Sequence, residues 1–186
     1  MLKQSRLDNL ADGIFAIVMT LLVIDLRIPE LYRYVTEAEL VSFLGNTLPS
    51  IIGYILSFTL LFVYWRGHHY ITSVFARNLD DQLSVINALF LLLVALVPFS
   101  THFLSIYNYS QVAIIVYGVH MILISLSLFW MRLYIRDSEA IETTEVTHEE
   151  EARGMIRIII PGTMAIIAIA LSFITTTFSL IVFFVA

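Results

Sequence analysis

The residues able to do chemistry are few, and they gather in the first thirty positions and around position 65. Asp12 stands inside an apolar run that extends from Leu10 to about Ile28, and a carboxylate at that depth has to be paired, wetted or put to work on protons. Groups able to meet it at the same depth are Arg6, two turns below it, and Arg66, His68, His69 and Asn87, which fall near the ends of two later apolar segments. Trp65 adds an interfacial ring beside them. Two chemistries fit this set. The simpler is a polar clasp that holds three helices in register; the other is proton exchange between Asp12 and the His68-His69 pair.

At 100° per residue, Leu10, Gly13, Ile17, Leu21, Ile24 and Ile28 form one stripe along the same helix, with Thr20 at its margin and Asp12 on another face. A stripe of this kind can face lipid, a neighbouring helix or a pore, and spacing alone does not separate the three. Catalytic chemistry has little support. His102, His120 and His148 are scattered, His68 and His69 point to different helix faces, and no HExxH or GxSxG pattern occurs. The absence of cysteine removes disulfides, thiolate metal sites and cysteine nucleophiles. Neither an enzyme nor a metal centre nor a cofactor is expected. Basic residues are too few and too dispersed for nucleic acid to be a partner.

These side chains need a scaffold, and its solvent is lipid. Of 186 residues, 59% are hydrophobic and 13% charged, more apolar surface than one water-soluble core can hide. A helix crossing about 30 Å of hydrocarbon needs about 20 apolar residues. That ruler predicts spans at about 10–28, 48–65, 83–103 and 110–131, followed by a long apolar stretch divided at the hydroxyl-rich Ser172 to Thr177 into 155–173 and a short sixth span, 176–186. The last span is expected to be incomplete or only partly inserted. Pro29, Pro49 and Pro98 all fall at predicted helix ends or first turns, where a missing amide proton does least harm. The first span lacks a small-residue cleavage site and reads as retained rather than as a signal peptide.

Lys and Arg collect on the cytoplasmic side of membrane proteins. Six spans with both termini cytoplasmic place Lys3, Arg6, Arg66, Arg77, Arg132, Arg136, Arg153 and Arg157 inside, and only Arg27 and Arg33 outside. The acidic loop 137–151 then lies inside as well, a solvated run with no apolar pattern. No internal repeat divides the chain, so residues 1–186 are expected to form one transmembrane domain.

The segment Arg6-Leu7-Asp8-Asn9-Leu10-Ala11-Asp12-Gly13-Ile14-Phe15-Ala16-Ile17, continuing through Thr20-Leu21-Leu22-Val23, resembles the first helix of the transmembrane protein 175 family of potassium channels. Tyr64-Trp65-Arg66-Gly67-His68-His69 resembles the end of that family's second helix, and Asn87-Ala88-Leu89-Phe90 through Ala95-Leu96-Val97-Pro98-Phe99 its third. The family signature is Arg, three variable residues, then Phe-Ser-Asp. Here Leu10 and Ala11 replace the aromatic residue and the serine, so one hydroxyl is missing from the polar cluster.

The resemblance implies an all-α homotetrameric potassium channel of the single-repeat prokaryotic type. Six-helix subunits would place their first helices around a central pore, with no selectivity-filter loop, in the plasma (inner) membrane. On that pattern Ile17 is the principal constriction, Leu21 and Ile24 are further layers above it, and Thr20 is a hydroxyl layer. Potassium is then the permeant ion. Asp25 and Glu30, near the outer end, would attract cations. The rival expectation is a proton-linked transporter or proton leak through Asp12 and His68/His69.

Overall fold

A computed structural model describes residues 4–26, 35–76, 80–138, 141 and 147–185, with the side chains of residues 4, 5, 25, 74, 148, 150, 151, 153, 157, 184 and 185 left aside. Every regular element among them is helical: α1 Gln4–Leu21 with a tighter turn Leu22–Asp25, α2 Glu37–Tyr70 with a wider turn Ile71–Phe75, α3 Asp81–Ala95, α4 Val97–Ile106, α5 Gln111–Arg136, α6 His148–Ser172 and α7 Thr176–Val185. Five segments are long and apolar enough to cross a membrane: Arg6–Ile24, Glu37–Ser73, Asp81–Ile106, Gln111–Arg136 and Gly154–Ser172. The chain is an integral, multi-pass membrane protein.

Three expected boundaries change, each for a physical reason. The second span is the middle of a 34-residue helix. The apolar ruler registers only what lipid covers, whereas the polar start of α2 is held by a reciprocal cap between Thr36 and Glu39. Pro49 therefore lies inside a helix rather than in its first turn. The third span is not continuous: α3 stops at Ala95, and α4 restarts at Val97 with Pro98 in its first turn. Proline removes one amide donor and clashes with the preceding turn, so the helix breaks there. Residues 148–151, assigned above to the acidic loop, open α6. The last helix, α7, has only 10 residues, about 15 Å and half a bilayer.

Pairs of touching residues give the helix directions. His68 meets Asn87 and Ser57 meets Thr101, so α2 runs opposite to α3 and α4. Phe15 packs on Phe90, and the turn after α1 packs on α4, so α1 and α3 run parallel. Gly118 faces Ile169 while Gly162 faces Ser125, making α5 and α6 antiparallel. A Cβ at Gly118 would lie 2.7 Å from Ile169 Cγ1, so only glycine allows this approach.

Lipid cannot satisfy polar groups, and the bundle interior does so instead. The Ser57 hydroxyl lies 2.9 Å from that of Tyr117 and 2.7 Å from that of Thr101, joining α2, α4 and α5. Two turns further along α2, the Tyr64 hydroxyl donates to the Met121 carbonyl at 2.9 Å and lies 3.0 Å from Ser125 Oγ. These bonds fix the rotation of each helix, a choice that uniformly apolar faces leave open.

Candidate functional site

The face that α1 turns inward consists of Leu7, Ala11, Phe15, Val18 and, just past its end, Leu22, spaced by four and three and all buried. The opposite face carries Leu10, Ile17, Leu21 and Ile24, with relative exposures of 54%, 59%, 43% and 52%. Gly13, Ala16 and Thr20 are exposed beside them, and a Cβ added at Gly13 would meet nothing within 4 Å. The aliphatic stripe therefore points away from the rest of the described chain along its whole described length; Ile28 lies outside the described residues. Thr20 Oγ1 is 3.0 Å from the Ala16 carbonyl and 2.8 Å from the Ile17 carbonyl. Its proton is held by the helix, which leaves its lone pairs facing outward.

The polar residues expected to form one cluster occupy two places. On the outer surface of the α1–α2 pair, the Trp65 indole N–H donates to Asp12 Oδ1 at 2.8 Å. His69, also exposed, stacks on that indole at 5.8 Å with 16° between planes. A groove of about 270 Å³ runs past this pair, lined by Asp12, Phe15, Ala16, Met19, Phe62 and Trp65. Inside the helix bundle, His68 Nε2–H donates to Asn87 Oδ1 at 2.6 Å, and its ring lies flat on Phe90 at 5.1 Å and 2°. Phe15 completes this inner group, 5.9 Å from Phe90 and 6.5 Å from His68.

Asp12 is therefore partnered by Trp65 rather than by His68 or Asn87. No hydrogen bond or ion pair joins Arg6 to Asp12 among the described residues; Arg6 is exposed at the end of α1. The two side chains are neighbours, about 60° apart around α2: both border α1, with the half-buried Trp65 at the outer margin and His68 buried toward α3. The Asp25 side chain and Glu30 lie outside the described residues. Sequence reasoning dismissed His120 as one of several scattered histidines, yet it sits at the break between α3 and α4, within hydrogen-bond distance of both. Its signal was Pro98, which removes one amide donor next to this break.

Asn87 leaves one loose end, because its Nδ2 is buried without a hydrogen-bond partner among the described residues. Phe15 meets Phe90 on parallel helices, so one turn down Ala11 stands at the level of Asn87. Ala11 is the residue that replaces the signature serine. Ala11→Ser is expected to supply the missing acceptor and stabilise the fold by about 1 kcal/mol, read as a rise in the thermal unfolding midpoint in detergent. An unchanged midpoint would show that the Asn87 amide gains nothing from a hydroxyl there.

The family model described as the endosomal/lysosomal potassium channel TMEM175 matches residues 6–98, the half of the chain that holds α1, the Asp12–Trp65 pair and the broken third span. A potassium channel of Chamaesiphon minutus is 35% identical over 98% of this chain and 91% of its own length. The chain belongs to the TMEM175 family.

Other members extend the comparison. A potassium channel of Streptomyces collinus is 34% identical over 69% of this chain and 64% of its own. The bovine endosomal/lysosomal proton channel TMEM175 is 30% identical, over 52% of this chain and 21% of that longer protein. Among solved structures, the crystal structure of a lysosomal potassium-selective channel TMEM175 homolog from Chamaesiphon minutus matches with a TM-score of 0.82 at 31% identity, covering 98% of this chain and 93% of that one. The likeness in fold thus continues past the family model's last matched residue through nearly the whole bundle. TMEM175 is a family of ion channels rather than of enzymes, and the potassium channels in it are this chain's relatives over the greatest share of its length.

Proposed function

We propose that this chain is one subunit of a homotetrameric, leak-type potassium channel in which four copies of α1 surround the ion path. The single observation that carries the proposal is the outward stripe of Ile17, Leu21 and Ile24 on a helix whose other face is fully used within the subunit. Four such stripes around an axis make stacked rings of methyl groups. These cannot replace an ion's water, so crossing them costs dehydration, and the cost is smaller for potassium than for the more strongly hydrated sodium. Small narrowing of the same rings dewets and closes the path. Thr20 supplies a hydroxyl layer between Ile17 and Leu21, and Asp25 and Glu30 concentrate cations at the outer mouth.

In this reading both termini are cytoplasmic, residues 1–186 form one channel domain, and the membrane is the plasma (inner) membrane of a prokaryote. Lipid and three identical subunits are its partners, and no cofactor takes part. The deciding experiment uses purified protein in liposomes, with potassium, sodium and proton flux and the mass of the assembly measured on one preparation. Potassium flux well above sodium flux from a fourfold assembly is the expected result. Flux without discrimination, or a monomer that conducts, would remove the proposal.

A second reading has a specific observation behind it: Asp12 is exposed on the lateral face, bonded to Trp65 with His69 stacked beyond, and one relative is called a proton channel. His68 does not share that face, so a proton path would run through Asp12 and His69. Asp12→Asn separates the readings. Loss of proton flux with an intact tetramer favours the proton path, whereas weakened assembly with unchanged flux per tetramer favours a clasp.

A further inference from the structure

The break at Leu96 divides the surface on which α1 rests. Below it, α3 presents Phe90 to Phe15; above it, α4 packs against the turn Leu22–Asp25. Pro98 has no amide proton, so the first turn of α4 cannot complete the backbone ladder from α3. The gap is bridged from outside. His120, reaching in from the middle of α5, places Nε2 2.9 Å from the Leu93 carbonyl on α3 and Nδ1 2.8 Å from Ser100 Oγ on α4. A carbonyl only accepts, so Nε2 carries the proton; with the ring neutral, Nδ1 accepts from the Ser100 hydroxyl, for whose single proton the Val97 carbonyl at 3.1 Å competes. One rigid imidazole thereby holds both halves of the broken helix. The α4 half is gripped a second time, through Thr101 to Ser57 and Tyr117. His120 and Ser100 are buried and the bond to the Leu93 carbonyl is partly so, which strengthens both bonds relative to water.

We infer that His120 is a positioning residue that sets the angle between α3 and α4 and, through the Leu22–Asp25 turn, the radius at which Leu21 and Ile24 stand. This rests on the reading that α1 lines the ion path. Selectivity by dehydration needs a fixed radius, since a ring that can spread admits the ion with its water. Without the clasp the α4 half pivots about Leu96, and the upper rings lose their backing while Ile17, nearer the α3 seat, keeps its own.

Because the described residues hold no free cysteine and the whole sequence contains none, spin labels can be attached through Val85→Cys on α3 and Phe99→Cys on α4, both exposed positions. Assemblies diluted with unlabelled subunits then report the distance across the joint. The parent protein should give one narrow distance. His120→Leu should shift or broaden it and lower the potassium-to-sodium flux ratio about fivefold, the change that one net hydrogen bond supports. His120→Gln keeps an N–H for the Leu93 carbonyl and should restore both readings, and Ser100→Ala, which loosens one grip only, should fall between. Should His120→Leu fail to fold, Ser100→Ala alone decides. An unchanged distance overturns the clasp, and a changed distance with an unchanged ratio overturns its link to α1. Failure of the pore reading looks different: Ile17→Asn then leaves the ion ratio unaltered while the labels still respond to His120→Leu, which overturns the link and not the clasp.

Discussion

Replacing Ile17 with asparagine is expected to raise the sodium-to-potassium flux ratio about tenfold, the effect of about 1.4 kcal/mol on the relative barrier. An amide in the ring offers a carbonyl oxygen and two N–H groups to an ion or its water, which removes much of the dehydration penalty on which discrimination depends. Sodium gains more than potassium because it has more hydration energy to lose. The Ile17 side chain is exposed on the single chain and lies outside its buried core, so the substitution should leave folding unaltered. Leu126→Asn is the matched control. That residue is equally exposed, but it lies on α5 beside the α5–α6 groove, away from α1. Flux measured on both variants in liposomes of one composition gives the answer, and equal ratios would take Ile17 out of the filter.

The second large effect concerns stability. Phe90→Ala is expected to cost about 3–5 kcal/mol, as truncation of a fully buried aromatic usually does. Phe90 is fully buried, with His68 stacked on one side and Phe15 on another, so three helices lose contact through one residue. Lipid tails are as apolar as the side chain itself, so the loss here is chiefly of packing. With its seat gone, α1 should detach, and the assembly and its flux should fail together. Phe90→Leu conserves much of the volume and should cost under about 1.5 kcal/mol. Trp65, beside α1, provides a fluorescence signal for the unfolding measurement. A Phe90→Ala protein with the parent's unfolding midpoint and assembly mass would show that α1 is held elsewhere.

The exposed stripe of α1 was legible in the sequence because helical geometry is rigid: at 100° per residue, Leu10, Ile17, Leu21 and Ile24 have to share a side, and they do. What covers that side was not legible, since a pattern gives direction and not occupant. Asp12 shows the complementary limit. Hydropathy gives the depth of a residue, and depth alone grouped it with Asn87 and both histidines. Rotation about α2, set by the hydroxyl bonds of Ser57 and Tyr64, divided them into an outer pair and a buried one. Pro98 was read as harmless because it falls near the end of the third apolar run. Apolar side chains say nothing about the backbone ladder, which is where the proline acts. The family resemblance itself rested on residues that the structure places along α1, at the C-terminal end of α2 and across the broken third span.

The length of α2 has a consequence of its own. It measures about 51 Å against about 30 Å of hydrocarbon, and none of its residues from Glu37 to Ile52 is buried. Leu40, Val41, Leu44 and Leu48 lie along this stretch and are all exposed. The helix thus carries apolar length in reserve: in a thicker bilayer it can draw these side chains into the acyl region before any carboxylate has to follow. The first helix has no such slack, with Asp25 soon after its last aliphatic ring. Bilayer thickness therefore bears unequally on the two neighbours and changes their relative tilt, which makes lipid chain length a variable that acts on α1 through α2.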